Sequence, residues 1–293
     1  MNRLRSTRWL VWASAAALAA GCGALQLNPL GGPRIEHETI AGTPTKHSFR
    51  VSQFVFYSDF EVQRQAPLFR DLGVLRDQVF KELQLPPSNT LVQVYLFQDK
   101  EGYEKFMQSK YPDLPRRRAF FVAQPRRFGG NEDLIVYTYW GDRIQQDLRH
   151  ELTHALLHSV LKDVPLWLDE GLAEFFEMPT SWKGVNYQHL EALRRGPTGP
   201  TPCNLDRLEQ LSDVQQMAPA EYREAWAWTH LMLRSTPQAK QALLSYLQEL
   251  RTNPRPGPLK PRLAQSFLSL DEALQRHLEQ LDLNRPRTAS AQP

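Results

Sequence analysis

Alternation of apolar and polar positions first becomes regular at Phe49, Val51, Phe54 and Phe56, which predicts a strand over residues 49–56. The spacing then changes to a helical one. Leu68, Leu72, Leu75, Val79 and Leu83 share one face of a helix predicted over residues 67–85. In residues 91–97, Val92, Val94 and Leu96 alternate against Gln93 and Tyr95, giving a second strand. Two shorter strands are expected at 119–123 and 134–139, joined by a loop containing Pro125 and Gly129-Gly130. A helix with Ile144, Leu148, Leu152 and Ala155 on its apolar face follows directly, then another beginning near Pro165 and ending by Pro179. Beyond Pro179 the strand signals fade, and helices are expected at 189–194, 205–211, 219–235, 237–251 and 270–281. The predicted fold class is therefore α+β: a mixed-sheet lobe over residues 47–180, a mostly helical lobe over 181–285, and a cleft between them. Residues 286–293 are expected to form a disordered tail.

Two segments carry ionisable residues beside these apolar stripes. The first is His150-Glu151-Leu152-Thr153-His154, and the second Trp167-Leu168-Asp169-Glu170-Gly171-Leu172-Ala173-Glu174. A helix turns about 100° per residue, so His150 and His154 project from one face and can share a metal ion. Glu151 lies beside them, where the HExxH motif needs a base for water. Zinc of this kind takes a third protein ligand and keeps one position open. His158 continues the spacing but sits roughly 12 Å along the axis from His150, too far to converge on the same ion. Glu170 and Glu174, one turn apart on the next helix, are the better candidates. One should bind the metal and the other should orient a ligand imidazole through its free N–H. The longer metzincin form is excluded, because Leu157 and Val160 stand where it needs Gly and His.

Together the two segments resemble the gluzincin zinc metallopeptidases, whose ligand glutamate stands in a W-L-x-E-G-x-A-type segment. That resemblance implies a zincin-like fold with one Zn2+ held by His150, His154 and Glu170, Glu151 as general base, and Glu174 as the outer carboxylate. The leader, the α+β segment, both motifs and a helical tail with Tyr222, Trp226 and Ala227 also resemble the bacterial peptidase-MA-like lipoproteins. By that likeness Tyr222 would stabilise the oxyanion, with His230, two helical turns on, as the alternative. In gluzincin-like folds a sheet edge near the active-site helix accepts the substrate backbone, for which 134–139 is the candidate; an internal strand is the other reading of that segment. The implied activity is hydrolysis of a peptide or protein substrate. A catalytically inactive scaffold that binds envelope proteins or peptides is the alternative, against which the intact Glu151 argues.

The N-terminus sets where this chemistry would occur. Arg3, Arg5 and Arg8 precede an apolar stretch shorter than the ~20 residues a membrane-spanning helix needs, which reads as an export signal over residues 1–21. Ala19-Ala20-Gly21-Cys22 resembles a lipobox, although leucine is usual where Ala19 stands. Lipidation of Cys22 would anchor the chain to a membrane through a tether over residues 22–46. Gly23, in place of a retention aspartate, favours by resemblance the periplasmic face of the outer membrane in a bacterial cell envelope. Loss of the leader lowers Lys+Arg from 35 to 32 against 32 Asp+Glu, so the mature chain is formally neutral and gives no ground for nucleic-acid binding. Arg116-Arg117-Arg118 and Arg126-Arg127 read as a solvated basic loop. With Cys22 lipidated, Cys203 has no disulfide partner, and stability must come from packing.

Overall fold

A computed structural model describes residues 42–125, 132–161, 163–195 and 203–283. The leader, Cys22, most of the tether, Arg126-Arg127 and the C-terminal tail lie outside them. The fold is α+β, as the periodicities predict. In chain order the elements are β1 (His47–Val51), β2 (Phe54–Ser58), α1 (Pro67–Glu82), β3 (Val92–Phe97), α2 (Lys100–Lys110), β4 (Ala119–Pro125), β5 (Glu132–Tyr139), α3 (Ile144–His158) and α4 (Leu166–Phe176). The helical part follows with α5 (Tyr187–Arg194), α6 (Leu205–Glu209), α7 (Pro219–Arg234), α8 (Pro237–Leu250), α9 (Lys260–Ala264) and α10 (Leu270–Leu283). Among the described residues no helix is long and apolar enough to cross a membrane.

The five strands form one mixed sheet in the order β1-β2-β3-β5-β4. The 49–56 segment is two strands rather than one. Ser52 adopts a left-handed φ of 54° and turns the chain back, so that β1 and β2 pair as an antiparallel hairpin. The helical crossovers through α1 and α2 then make β2, β3 and β5 parallel neighbours, while β4 returns antiparallel to β5. The segment 134–139 is consequently interior, paired to β3 on one side and β4 on the other. The edges of the sheet are β1 and β4, so the expectation that 134–139 offers its backbone to a substrate is corrected in favour of the internal-strand reading.

Strand alternation assigns each face of the sheet to a different core. Val92, Val94, Leu96, Leu134 and Val136 face α1 and α3 and join one continuous core that reaches through α4 to α7, α8 and α10. The opposite face carries Tyr95, Phe97, Ile135, Tyr137 and Tyr139 and is covered by α2 through Tyr103, Phe106 and Met107. No helix is anticipated over 100–110 from periodicity, because its apolar stripe is three residues long. Its start is nevertheless encoded: Asp99 caps it, accepting from the Gly102 N–H at 2.9 Å.

The helical part closes around Trp226, Trp228, Leu231 and Leu233 on α7, all buried. His230 belongs to this packing. Its ring lies between Phe175 and Trp226, and its Nδ1 is 2.8 Å from His277 Nε2 on α10. The expectation that His230 stabilises an oxyanion is therefore corrected: the ring is spent inside the core, joining α7 to α10. Two imidazoles sharing one hydrogen bond need one donor and one acceptor, so both cannot be charged, and burial favours the neutral form of each. Burial holds His277 down to about 4 and, with His277 and Arg234 adding repulsion, holds His230 well below the ordinary histidine value. In the unfolded chain both take up a proton near 6.5. The stabilisation is thus complete above about pH 6.5 and is lost as the pH falls toward 4. Urea midpoints should fall across that window, and a His230→Leu/His277→Leu double variant should lack that part of the slope. An unchanged slope in the double variant would remove the pair from the account.

Candidate metal centre

The HExxH helix α3 is amphipathic, and His154 is buried while His150 and Glu151 reach the cleft. Helix α4 begins at Pro165, which has no amide proton to leave unpaired, and runs across α3. Two contacts fix that crossing. Arg149, 1% exposed, donates to the carbonyls of Phe176, Glu177 and Met178 at 3.0–3.2 Å, at the C-terminal end of α4 where helix carbonyls lack partners. Its Nη1 donates to Asp71 at 3.0 and 3.1 Å, and the Nη2 that reaches Met178 also donates to Gln78 at 3.2 Å; both partners are on α1. On the far side of α4, Gly171 lets α7 approach closely. A Cβ there would lie 2.4 Å from Thr229 Oγ1 and 2.5 Å from the Ala225 carbonyl oxygen.

The crossing brings His150, His154 and Glu170 together, with their potential ligand atoms within 4.8 Å of one another. The two Nε2 atoms are 3.3 Å apart. Glu170 Oε2 stands 3.4 Å from His150 Nε2 and 3.6 Å from His154 Nε2. It is fully buried and has no hydrogen-bond partner within the protein. A buried carboxylate oxygen facing two imidazole nitrogens, with nothing to satisfy it, is costly unless a cation sits among them. The donor set of two imidazoles and one carboxylate suits zinc with one open position.

The other ring nitrogens face carboxylates, though not the one expected. Glu177 lies 2.8 Å from His150 Nδ1 and itself accepts from Gln146 at 2.6 Å. Asp169 is hydrogen-bonded to His158 Nε2 at 3.1 Å and lies 3.1 Å from His154 Nδ1, a close contact without hydrogen-bond geometry. Glu174 points instead to His189 Nε2 on α5, at 2.8 Å. The reading of Glu174 as the acid that orients a ligand imidazole is corrected on this geometry, with Glu177 and Asp169 in that role. Glu170, Glu174 and Glu177 fall at i, i+4 and i+7, so the spacing could have pointed to Glu177 as well. Arg149 gives no such signal, since a charged residue on a mostly apolar face looks like an exception. Phe121 of β4 stacks near His154 and His158, at 6.2 and 5.4 Å between ring centres, and draws the sheet edge alongside the site.

The electrostatics follow from this crowding. Burial resists protonation of both imidazoles, but Glu170 and Glu177 lift His150 well above its ordinary range, and Asp169 with Glu170 lifts His154 to about 10. Burial would raise Glu170, yet the imidazoles hold it near about 2. Glu177 is pushed up to about 7 by burial and then by Glu174, with His150 offsetting only part. Burial also raises Glu151, against the pull of both histidines. A divalent ion replaces protons in such a cluster, since imidazole must be neutral to ligate.

A cleft of about 500 Å³ opens at this centre. His150, Glu151, His154, Glu170 and the apolar edge-strand residues Phe120 to Ala123 line it on one side, with Leu211, Val214 and Arg255 from the helical part on the other. Tyr222 on α7 is half-buried, and its hydroxyl accepts from Arg117 Nη2 at 2.9 Å. Burial, then the Glu170 carboxylate, push its pKa up to about 12, so the phenol keeps its proton at neutral pH. Cys203 is partly buried, and burial lifts its thiol to about 12, which leaves it unreactive.

The profile of a family described as "protein of unknown function (DUF1570)" matches residues 145–256, less than half of the chain. The matched stretch runs from the second residue of α3 past the end of α8 and contains both motifs and Tyr222. No curated protein and no solved structure matches the chain.

Replacing Gly171 with Ala tests whether the α4–α7 approach positions Glu170. Overpacking against backbone costs about 1–3 kcal/mol. The variant should melt at lower temperature and bind zinc at least tenfold more weakly, as read by competition with a chromophoric chelator. Unchanged zinc affinity would mean that the close approach does not govern the metal centre.

Proposed function

We propose that this protein is a zinc-dependent peptidase of the peptidase-MA-like type, anchored by lipid at Cys22 in a bacterial cell envelope. The observation that carries the reading is the unsatisfied Glu170 Oε2 facing the Nε2 atoms of His150 and His154, with Glu151 lining the adjoining cleft. The matched family profile, over residues 145–256, covers every residue of that set without assigning any of them a role. A zinc ion held by His150, His154 and Glu170 would act as a Lewis acid, polarising the scissile carbonyl and making water more acidic.

The residues of the chain supply the rest. Glu151, its pKa raised by burial, is suited to take a proton from the attacking water and pass it to the leaving nitrogen. Tyr222, protonated and held by Arg117, which lines the cleft, is the candidate donor to a developing oxyanion. Glu177 and Asp169 keep the imidazoles oriented. The free edge of β4 offers main-chain groups to an extended peptide, and Phe120 to Ala123 give it an apolar wall. Such backbone pairing makes modest demands on sequence.

The test is metal content and peptide digestion by the purified full chain. One zinc per chain is expected, with cleavage abolished by a chelator and restored by zinc. Glu151→Gln should retain the metal and lose turnover by 10²–10⁴-fold, a range typical of general acid-base groups. Glu170→Ala should lose the metal itself. A zinc-loaded protein that cleaves nothing in a broad peptide library would favour the inactive scaffold instead.

A further inference from the structure

The three successive arginines at 116–118 have different fates. Arg116 is exposed, and Arg118 is doubly paired, donating to Asp147 at 2.9 Å and Asp142 at 2.8 Å. Arg117 turns into the cleft that also holds His150, Glu151, His154 and Glu170. It is half-buried, and its guanidinium lies 5.9 Å from the ring centres of both Phe120 and Tyr222. One N–H is used on the Tyr222 hydroxyl at 2.9 Å. Among the described residues no carboxylate pairs with it.

A guanidinium partly withdrawn from water without a counter-ion is an incomplete ion pair. Its planar fork of five N–H groups matches a carboxylate in geometry, and one hydroxyl contact leaves most of that capacity unused. It lines the same cleft as Glu151 and the imidazole pair. The remaining lining limits what anion can come. Glu132, Glu151, Asp163, Asp169 and Glu170 share the cleft and would repel a phosphate dianion or a polyanion more strongly than a single carboxylate. Arg255, on the opposite wall, is the other guanidinium in the lining.

We propose that Arg117 is a carboxylate-binding residue, and that the peptides this protein takes carry a carboxylate within a residue or two of the bond cleaved, as a free C-terminus or an acidic side chain. This inference rests on the peptidase reading for the word "cleaved", but the binding it describes does not require turnover.

The experiment measures binding to the full chain, zinc-loaded and carrying Glu151→Gln to stop hydrolysis. The probes are matched N-acetylated alanine pentapeptides. One pair ends in a free carboxylate or a carboxamide, and amidated pairs carry Glu or Gln at each position in turn. At least one carboxylate peptide should bind about tenfold or more tightly than its neutral twin, the size expected of a charge-assisted contact. Which pair responds tells a C-terminal carboxylate from a side chain. Adding Arg117→Gln should erase the preference, and Arg117→Lys should keep part of it. The proposal is overturned if twins bind alike, if no carboxylate peptide binds up to its solubility limit, or if the preference survives Arg117→Gln. It is also overturned if Arg117→Gln weakens both twins equally. Cleavage by the Glu151 protein is read separately: a preserved preference without any cleavage would sink the peptidase reading and leave this one standing.

Discussion

A carboxylate oxygen buried without a hydrogen bond, pressed toward two imidazoles, is the constraint on which this structure turns. Glu170 is 5% exposed and belongs to α4, while its imidazole neighbours belong to α3. The arrangement is tolerable only if the two helices cross at a fixed place, because a small slip would leave a buried charge facing apolar atoms. Arg149 supplies that fixity from inside the core by joining the end of α4 to α3 and α1. Gly171 supplies it from outside by letting α7 lie against α4. The convergence of His150, His154 and Glu170 is therefore a consequence of helix packing as much as of the side chains themselves.

Around the ligand set runs a layer of acids and bases that would be unstable in isolation. Glu177 faces His150, Asp169 faces His154 and His158, and Glu174 faces His189, so that each of these acids contacts an imidazole. Such a layer orients ring nitrogens and sets how readily they give up protons. The cleft beyond it is asymmetric. One wall is the apolar edge strand β4, and Arg117 reaches from the segment before that strand to Tyr222 on α7, linking the sheet to the helical part at the mouth of the site.

What could be read from the sequence is what depends on local geometry. The i, i+4 imidazoles need only a helix, and the alternation in β3 correctly separates Val92, Val94 and Leu96 from Gln93 and Tyr95. What depends on pairing order could not be read. The segment 134–139 looks the same whether it is an edge or a centre, and only the return of β4 decides it. The hairpin at Ser52 is hidden because the apolar pattern runs through a left-handed turn made without glycine. Partner choice among acids is equally non-local: Glu174 and Glu177 lie on the same side of α4, but α5 offers His189 to the first and α3 offers His150 to the second. His230 shows the same effect, its fate decided by His277, 47 residues away.

His150, His154 and Glu170 are proposed to hold one ion. Anomalous diffraction from crystals of the zinc-loaded protein, recorded on both sides of the zinc absorption edge, would locate it. A single peak is expected, about 2.0–2.2 Å from the two Nε2 atoms and from a Glu170 oxygen. A peak between Glu174 and Glu177, or none beside the imidazole pair, would contradict this ligand set.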